Sequence, residues 1–360
     1  MAGYHFSLPD VEKLSPSQQA AVGDNKPIAL SGGPGTGKSV VAIYRHITNY
    51  QKQKPIRSQL ITHTKSLAHY LKQCCSTISP KAAEFVDTSS STKWRPSNGN
   101  IFDEIIHDEA QDLHLNFNKL LQKFAGSISY GADDQQLISA AARNEDGSYN
   151  LEECSPEKEL RKIYRNSLHT LTKNYRSTRK IMMFVKNIFE NAYIPEQTIV
   201  ETEKEGDLYP TIFVTKTLDA QNQTILNIVE QFKNNKDINI AILAPYAKSA
   251  EEHLTPYYYY QLLKSKGFDC SYLDSSKESS VEIMNIHCTT FKSCKGLEFD
   301  LVIIPNFTLN FLSQTNTFIT WMDFYVGATR AKSMLYIIGN HNFPKIPDTG
   351  QNKLAEKEFI

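Results

Sequence analysis

The 360-residue sequence has few cysteines, no C-x-x-C pair and no long apolar run. Its six cysteines have irregular spacings, which argues against a zinc site and favours buried free thiols in a reducing cytoplasm. No run of roughly 18 apolar residues occurs, and residues 1–10 lack the basic and apolar regions of a signal peptide. These absences predict a cytoplasmic protein without a membrane span.

The chain also lacks a net charge, because 39 Lys and Arg residues balance 39 Asp and Glu residues. A strongly basic protein would attract nucleic acid over its whole surface, which this chain cannot do. Any binding of a polyanion must therefore come from local clusters of Lys and Arg.

Short apolar runs separated by helical patterns predict parallel α/β sheets. The predicted strands are residues 27–30, 58–62, 101–106, 127–130, 211–214, 238–243, 281–286, 301–304 and 334–338. The runs form two sets, and the length also fits two domains of roughly 100–200 residues each. We therefore expect two α/β domains, residues 1–166 and residues 167–360.

The most specific motif is Gly-Gly-Pro-Gly-Thr-Gly-Lys-Ser at residues 32–39, between a predicted strand and a predicted helix. Its glycines allow main-chain N–H groups to surround a phosphate, and the helix N-terminus adds partial positive charge. Lys38 is expected to neutralise the β- and γ-phosphates, and Ser39 to bind Mg²⁺. The alternative is a glycine turn that only joins strand to helix, and the strand–loop–helix context disfavours it.

A second motif places Asp108 and Glu109 directly after an apolar strand. Ligands of parallel sheets bind at the carboxyl ends of the strands. Asp108 is expected to hold Mg²⁺ and Glu109 to accept a proton from the attacking water. Taken alone, this stretch is better interpreted as an acidic helix cap. Because the sequence also contains a phosphate loop, the cap becomes the less favoured interpretation.

Together, the phosphate loop and Asp-Glu-Ala-Gln-Asp at residues 108–112 resemble the core of UvrD/Rep-type superfamily 1 helicases. Further similar segments follow in the family's order at residues 14–22, 131–135, 171–177, 290–299 and 325–331. The resemblance implies two RecA-like P-loop NTPase domains with mainly parallel sheets and an ATP site in the cleft between them. Only short segments, residues 73–100 and 273–280, stand where the family inserts large accessory subdomains, so a compact form is predicted.

The resemblance also implies a role for each motif residue. The implied ATP contacts are Gln18 at the adenine edge, Gly33, Gly35, Thr36, Gly37, Lys38 and Ser39 in the loop, Tyr175 on the base and Glu298 at the ribose. The implied catalytic residues are Lys38, Glu109, Gln135, Arg176 and Arg330, of which the last three approach the γ-phosphate. Either arginine could instead form an ordinary surface salt bridge.

Single-stranded nucleic acid is the implied partner, with DNA preferred by resemblance and RNA left open. The expected contacts are Thr62, Thr64, Lys65, Thr290 and Lys292. Residues 161–186 carry eight Lys and Arg residues and no acid, which predicts either a phosphate-binding surface or a solvated helix face.

The sequence also departs from the family. Residues 131–135 resemble the family's Gly-Asp-x-x-Gln motif, but Ala132 stands in place of its aspartate and the stacking aromatics that follow the motif are missing. Lys292 stands in place of the histidine of a later family motif. Trp94 or Phe291 could supply stacking instead.

The sequence therefore predicts an ATP-dependent DNA helicase or translocase of UvrD/Rep type, which hydrolyses ATP with Mg²⁺ and moves along or senses single-stranded DNA. The alternative is a nucleotide-gated, nucleic-acid-sensing subunit of a bacterial antiviral defence complex. Such a subunit would act with a partner nuclease and without processive unwinding. A small-molecule kinase is disfavoured by the motifs at residues 295–299 and 325–331.

Overall fold

The computed structural model divides into two compact units. We call Phe6–Asn174 the N-terminal unit, and Tyr175–Ile360 with Met1–His5 the C-terminal unit. The structure describes residues 3–6, 8–95, 101–137, 139–142, 144, 148–188, 194–206, 208–273, 283–307, 319, 321–339, 346–350 and 352–360.

The N-terminal unit contains a six-stranded sheet in the order β3-β2-β4-β5-β1-β6, with every pair parallel. Its strands are β1 (Ile28–Ser31), β2 (Ser58–Thr62), β3 (Val86–Thr88), β4 (Phe102–His107), β5 (Ala125–Ala132) and β6 (Ser167–Thr170). Its helices are α1 (Pro16–Gly23), α2 (Lys38–Gln51), α3 (Lys65–Ser76), α4 (Pro80–Ala83), α5 (Leu115–Leu121) and α6 (Glu157–Ile163). Strand β2 is buried along its whole length, as expected for a parallel strand covered on both faces.

The C-terminal unit contains a seven-stranded sheet in the order β13-β7-β12-β11-β8-β10-β9, again with parallel pairs. Its strands are β7 (Thr211–Val214), β8 (Ile240–Ala244), β9 (Ser271–Leu273), β10 (Ile286–Thr290), β11 (Phe299–Phe307), β12 (Ala331–Gly339) and β13 (Glu356–Phe359). Its helices are α7 (Arg179–Ile188), α8 (Glu196–Val200), α9 (Leu218–Phe232), α10 (Pro256–Ser265) and α11 (Trp321–Ala328). Apolar side chains of α9 and α10, such as Val229 and Leu263, share one core with Ile242 and Ile303 of the sheet.

The prediction of two RecA-like α/β domains with mainly parallel sheets is confirmed. The units divide after Asn174 rather than after residue 166, because β6 pairs with β1 and so completes the N-terminal sheet. The strand predicted at 281–286 is observed at Ile286–Thr290, and residues 281 and 282 lie outside the described residues. Most of the predicted loop at 273–280 also lies outside them.

All six cysteines are buried and none forms a disulfide, which confirms the interpretation of them as buried thiols. Among the described helices, none is long and apolar enough to cross a membrane.

Three buried histidines make the stability of the fold depend on pH. Burial lowers the pKa of His46, His107 and His287 from 6.5 to about 4. Each histidine therefore takes up a proton on unfolding, so its contribution to stability is present above pH 6.5 and is lost as the pH falls toward 4. We expect the free energy of unfolding to fall by about 1.4 kcal/mol per histidine between pH 7.5 and pH 5.5.

Urea denaturation at the two pH values measures this dependence. The control variant is His46→Gln, because a glutamine amide can still donate to Ala82 O, which lies 2.9 Å from Nε2 of His46, yet cannot titrate. In this variant the free energy of unfolding should fall between pH 7.5 and pH 5.5 by about 1.4 kcal/mol less than in the wild type. An unchanged dependence would show that folding does not lower the pKa of His46.

Candidate functional site

The phosphate loop joins β1 to α2 and can form only with glycine at two of its positions. A Cβ atom on Gly32 would lie 2.3 Å from the main-chain oxygen of Leu171, and one on Gly37 would lie 2.3 Å from Nε2 of Gln18. Gly37, which precedes α2, also has a positive φ of 89°. The loop main chain is therefore packed closely against α1 and the end of β6.

Lys38, the first residue of α2, points its side chain back over the loop. Its Nζ donates to the main-chain oxygens of Gly32 at 2.6 Å and Gly33 at 3.1 Å. The same Nζ lies 3.7 Å from Oδ2 of Asp133, and both side chains are buried. The ammonium group is thus held at the loop by two carbonyl oxygens and one carboxylate.

Ser39 and Asp108 meet at the carboxyl edge of the N-terminal sheet. Oγ of Ser39 donates to Oδ2 of Asp108 at 2.7 Å. A Cβ atom at Gly131 would lie 3.3 Å from Oδ1 of Asp108, so the glycine gives the carboxylate room. A hydroxyl and a carboxylate side by side are the oxygen ligands that Mg²⁺ prefers, and the pair fits that ion.

Glu109 has a strained backbone, with a positive φ of 59° in a non-glycine residue. Its side chain is buried, and its Oε2 accepts a hydrogen bond of 2.6 Å from Nε2 of Gln111. Strain of this kind concentrates at functional sites, where the surrounding structure fixes it. Glu109 is the residue that follows Asp108, so the strained main chain adjoins the residue that contacts Ser39.

Asp133 also lies in the candidate site, although no sequence motif pointed to it. Besides its contact with Lys38, its Oδ1 accepts from the main-chain N–H of Gln135 at 3.0 Å and its Oδ2 from Nε2 of Gln136 at 2.6 Å. The available signal was its position, because it follows the end of β5 as Asp108 follows the end of β4. It also stands next to Ala132, where the family has its aspartate.

Gln18, in α1, forms a hydrogen bond with the phosphate loop. Its Oε1 accepts from the main-chain N–H of Ser15 at 2.9 Å, which completes a capping box, and its Nε2 donates to the main-chain oxygen of Thr36 at 3.1 Å. The side chain is buried. In the structure Gln18 therefore caps α1 and links this helix to the phosphate loop.

In the C-terminal unit, Arg176 contacts Glu298. Nε of Arg176 donates to Oε2 of Glu298 at 3.0 Å, with the two side chains 15% and 22% exposed. Arg176 therefore takes part in an ion pair, although a largely buried one. Tyr175 precedes it and is half-buried.

Arg330 is almost fully buried, at 1% exposure. Its Nε donates to the main-chain oxygen of Val326 at 2.9 Å, and its Nη2 donates to Oγ1 of Thr329 at 3.3 Å. The main-chain oxygen of Thr329 also lies 3.5 Å from the guanidinium of Arg176. Both arginines thus contact Thr329.

The predicted nucleic-acid contacts differ in accessibility. Thr62 ends β2 and is buried, Thr64 caps α3 through its Oγ1, and Lys65 is exposed. Thr290 is buried and donates to Oγ of Ser293 at 3.0 Å, while Lys292 is half-buried. Only the two lysines and Thr64 retain exposed side-chain surface.

Both suggested stacking platforms belong to the cores. Trp94 is buried, and its Nε1 donates to the main-chain oxygen of Thr88 at 2.9 Å. Phe291 is buried against Phe324, and a Cβ atom at Gly327 would lie 2.5 Å from its ring. The expectation that either could stack on a base is therefore wrong.

The basic segment at 161–186 is divided between the two units, because the boundary after Asn174 falls inside it. Arg161 pairs with Glu157 at 2.9 Å and Lys162 with Glu159 at 2.6 Å, both within α6. Part of its charge is therefore neutralised locally.

Comparisons with known proteins agree with this architecture. The pattern of a UvrD-like helicase C-terminal domain matches residues 259–342, and that of an AAA domain matches residues 18–142. A protein of Acanthamoeba polyphaga mimivirus named "Putative ATP-dependent DNA helicase" is 27% identical over 274 residues, which cover 71% of this chain and 36% of the relative. The chain thus spans about a third of that relative's length.

A solved structure, the C-terminal domain of a possible DNA helicase from Lactobacillus plantarum WCFS1, is similar with 20% identity and a TM-score of 0.36. That alignment covers 51% of this chain and 98% of the other. The two domain matches and the mimivirus relative indicate a UvrD-like superfamily 1 helicase core, to which this chain is similar over residues 18–142 and 259–342.

Proposed function

We propose that the chain hydrolyses ATP with Mg²⁺ and couples hydrolysis to movement on, or sensing of, single-stranded DNA. The observation that carries the proposal is the convergence of Lys38, Ser39, Asp108 and Asp133 at one edge of the N-terminal sheet. Ser39 and Asp108 would hold Mg²⁺, which when bound neutralises charge on the phosphate oxygens.

The chain's own residues would then do three things. The main-chain N–H groups of the loop and the N-terminus of α2 would bind the β-phosphate, and Lys38 would reach the γ-phosphate. Glu109 would take a proton from the attacking water, a task that fits a carboxylate fixed by Gln111. Gln135, held by Asp133, would orient that water or the γ-phosphate.

We infer that the site is composite. Arg176 and Arg330 would stabilise the transition-state charge from the C-terminal unit, while the phosphate loop acts from the N-terminal unit. Tyr175 and Glu298 would contact the base and the ribose. Because the γ-phosphate would then hold the two units together, its release after hydrolysis would free them to move.

The test of this function is the rate of ATP hydrolysis with and without single-stranded DNA, duplex DNA and RNA. We expect turnover that requires Mg²⁺ and rises with single-stranded DNA. Turnover that none of the three nucleic acids changes would contradict the coupling, and an absence of turnover would contradict the enzyme.

One observation favours the second candidate, a nucleotide-gated, nucleic-acid-sensing subunit of an antiviral defence complex that acts with a partner nuclease. Because Trp94 and Phe291 are buried, neither side chain is available to stack on the bases of a strand along which a motor would move. Displacement of a roadblock from single-stranded DNA distinguishes the candidates, because only a motor displaces it directionally.

Asp133 provides a more specific prediction. Its carboxylate and the γ-phosphate would both interact with Lys38, and like charges at such distances disfavour each other. Asp133→Asn keeps a carbonyl oxygen for the Gln135 N–H yet removes the charge, so we expect ATP to bind about three- to tenfold more tightly.

Titration with a fluorescent ATP analogue measures this affinity. Asp134→Asn is the matched control, because Asp134 accepts from the main-chain N–H of Glu157 rather than contacting Lys38. Weaker binding by Asp133→Asn would mean that Asp133 helps to hold Mg²⁺ or the nucleotide directly.

A further inference from the structure

The first residues of the chain form a strap on the C-terminal unit, although the chain then continues into the N-terminal unit. Residues 3–5, which we call the N-terminal strap, are held mainly through their main chain. Gly3 forms an antiparallel bridge with Met284, and the N–H of Tyr4 donates to the main-chain oxygen of Ile283 at 2.9 Å. His5 exchanges two hydrogen bonds, of 3.0 and 3.1 Å, with the side-chain amide of Asn239.

Tyr4 is the strap residue that reaches the candidate site. Its side chain is 5% exposed, and its ring meets Phe299 edge-on with a centroid separation of 5.6 Å. Its hydroxyl donates to the main-chain oxygen of Glu298 and accepts from the main-chain N–H of Glu298 at 3.2 Å. One side-chain hydroxyl therefore binds both main-chain polar groups of Glu298.

Glu298 depends on this contact because of its position in the fold. Strand β11 begins at Phe299, so Glu298 lies one residue before the strand ladder that would otherwise fix its main chain. Its carboxylate accepts from Arg176, and the next N–H along, that of Phe299, donates to the main-chain oxygen of Arg330 at 2.9 Å. The Tyr4 hydroxyl thus binds the residue that contacts Arg176, and the residue that follows it in sequence contacts Arg330.

We propose that Tyr4 is a positioning residue for nucleotide use, and that it acts by holding the Glu298 peptide so that Glu298 and Arg176 keep their mutual geometry. The proposal rests on the proposed function, in which these two side chains contact ATP. Without the hydroxyl, the Glu298 main chain loses two partly buried hydrogen bonds, and the carboxylate is free to turn away from the guanidinium.

The test variant is Tyr4→Phe, which keeps the ring on Phe299 and removes only the hydroxyl. We expect kcat/KM for ATP to fall about tenfold, chiefly through a higher KM, since the lost contacts orient binding groups and leave Glu109 and Lys38 in place. The matched control is Tyr164→Phe. Tyr164 is also 5% exposed and its hydroxyl also donates to a main-chain oxygen, that of Asn118, in the N-terminal unit.

Melting temperature and steady-state kinetics are measured for both variants. A purely structural role for Tyr4 predicts that both melting temperatures fall alike while KM stays at the wild-type value in both. That result overturns the proposal. A rise in KM for Tyr4→Phe alone supports it.

The Glu298→Gln variant separates this proposal from the function on which it rests. We expect Glu298→Gln to raise KM, and the addition of Tyr4→Phe to have little further effect, because the two changes act through one group. If Glu298→Gln raises KM and Tyr4→Phe does not, the positioning role is wrong and the proposed ATP site stands. If neither changes KM, Glu298 does not contact the nucleotide, and both the role of Tyr4 and that part of the proposed site are wrong.

Discussion

Replacing Lys38 by alanine is expected to abolish detectable ATP hydrolysis. The Lys38 ammonium is buried at the phosphate loop beside two carbonyl oxygens and Asp133, so its loss removes the positive charge that the β- and γ-phosphates require. It also leaves the Asp133 carboxylate buried beside the phosphates without its cation. The measurement is phosphate release at saturating ATP, which separates lost chemistry from weak binding.

The exposed lysine of α5, Lys119, provides the control, because Lys119→Ala should leave the rate unchanged. The double variant Lys38→Ala with Asp133→Ala removes the unpaired carboxylate, so it tests whether inactivity comes from misfolding. It should recover stability and remain inactive. Turnover near the wild-type rate in Lys38→Ala would remove the phosphate-loop assignment.

Alanine at Arg176 or at Arg330 should lower kcat by about 10³-fold or more, the magnitude expected for the loss of an arginine finger. The physical reason is that each guanidinium would face charge that develops on the γ-phosphate during transfer. Combining the two substitutions should cost much less than the product of the single effects, because groups that act on one transition state are not additive.

Arg161→Ala is the control for this series, since Arg161 forms an exposed ion pair with Glu157 within α6. It should leave kcat unchanged. For the buried Arg330 a lower melting temperature is also expected, so rates are compared per folded molecule. If turnover per folded molecule stays near wild type in both arginine variants, they are structural residues and the composite site is wrong.

Much of the fold could be predicted because apolar runs of buried parallel strands are continuous. Strands β2 and β7 occur at the predicted residues, 58–62 and 211–214. Strands β6 and β13 were not predicted, since Ser-Leu-His-Thr and Glu-Lys-Glu-Phe are mainly polar and largely exposed. Edge strands of this kind form because they pair with a neighbouring strand, and their own residues show no apolar pattern that predicts a strand.

The site shows the same division. The motifs predicted a phosphate loop and a shared Mg²⁺ role for Ser39 and Asp108. The structure adds the hydrogen bond between these two side chains, which both lie at the carboxyl edge of one sheet. Asp133 was missed because the family pattern drew attention to position 132. The role of Tyr4 could not be predicted, since its partner Glu298 is 294 residues away in sequence. The burial of Trp94 and Phe291 could not be predicted, because residue type alone does not determine exposure.

We propose that residues of both units contact one nucleotide, and a crystal structure with Mg²⁺ and a slowly hydrolysed ATP analogue tests this proposal most directly. We predict that the loop at residues 33–38 surrounds the β-phosphate and that Lys38, Arg176 and Arg330 all lie within hydrogen-bonding distance of γ-phosphate oxygens. The contradicting result is an analogue bound to the N-terminal unit alone, with Arg176 still on Glu298 and neither arginine in contact with the γ-phosphate.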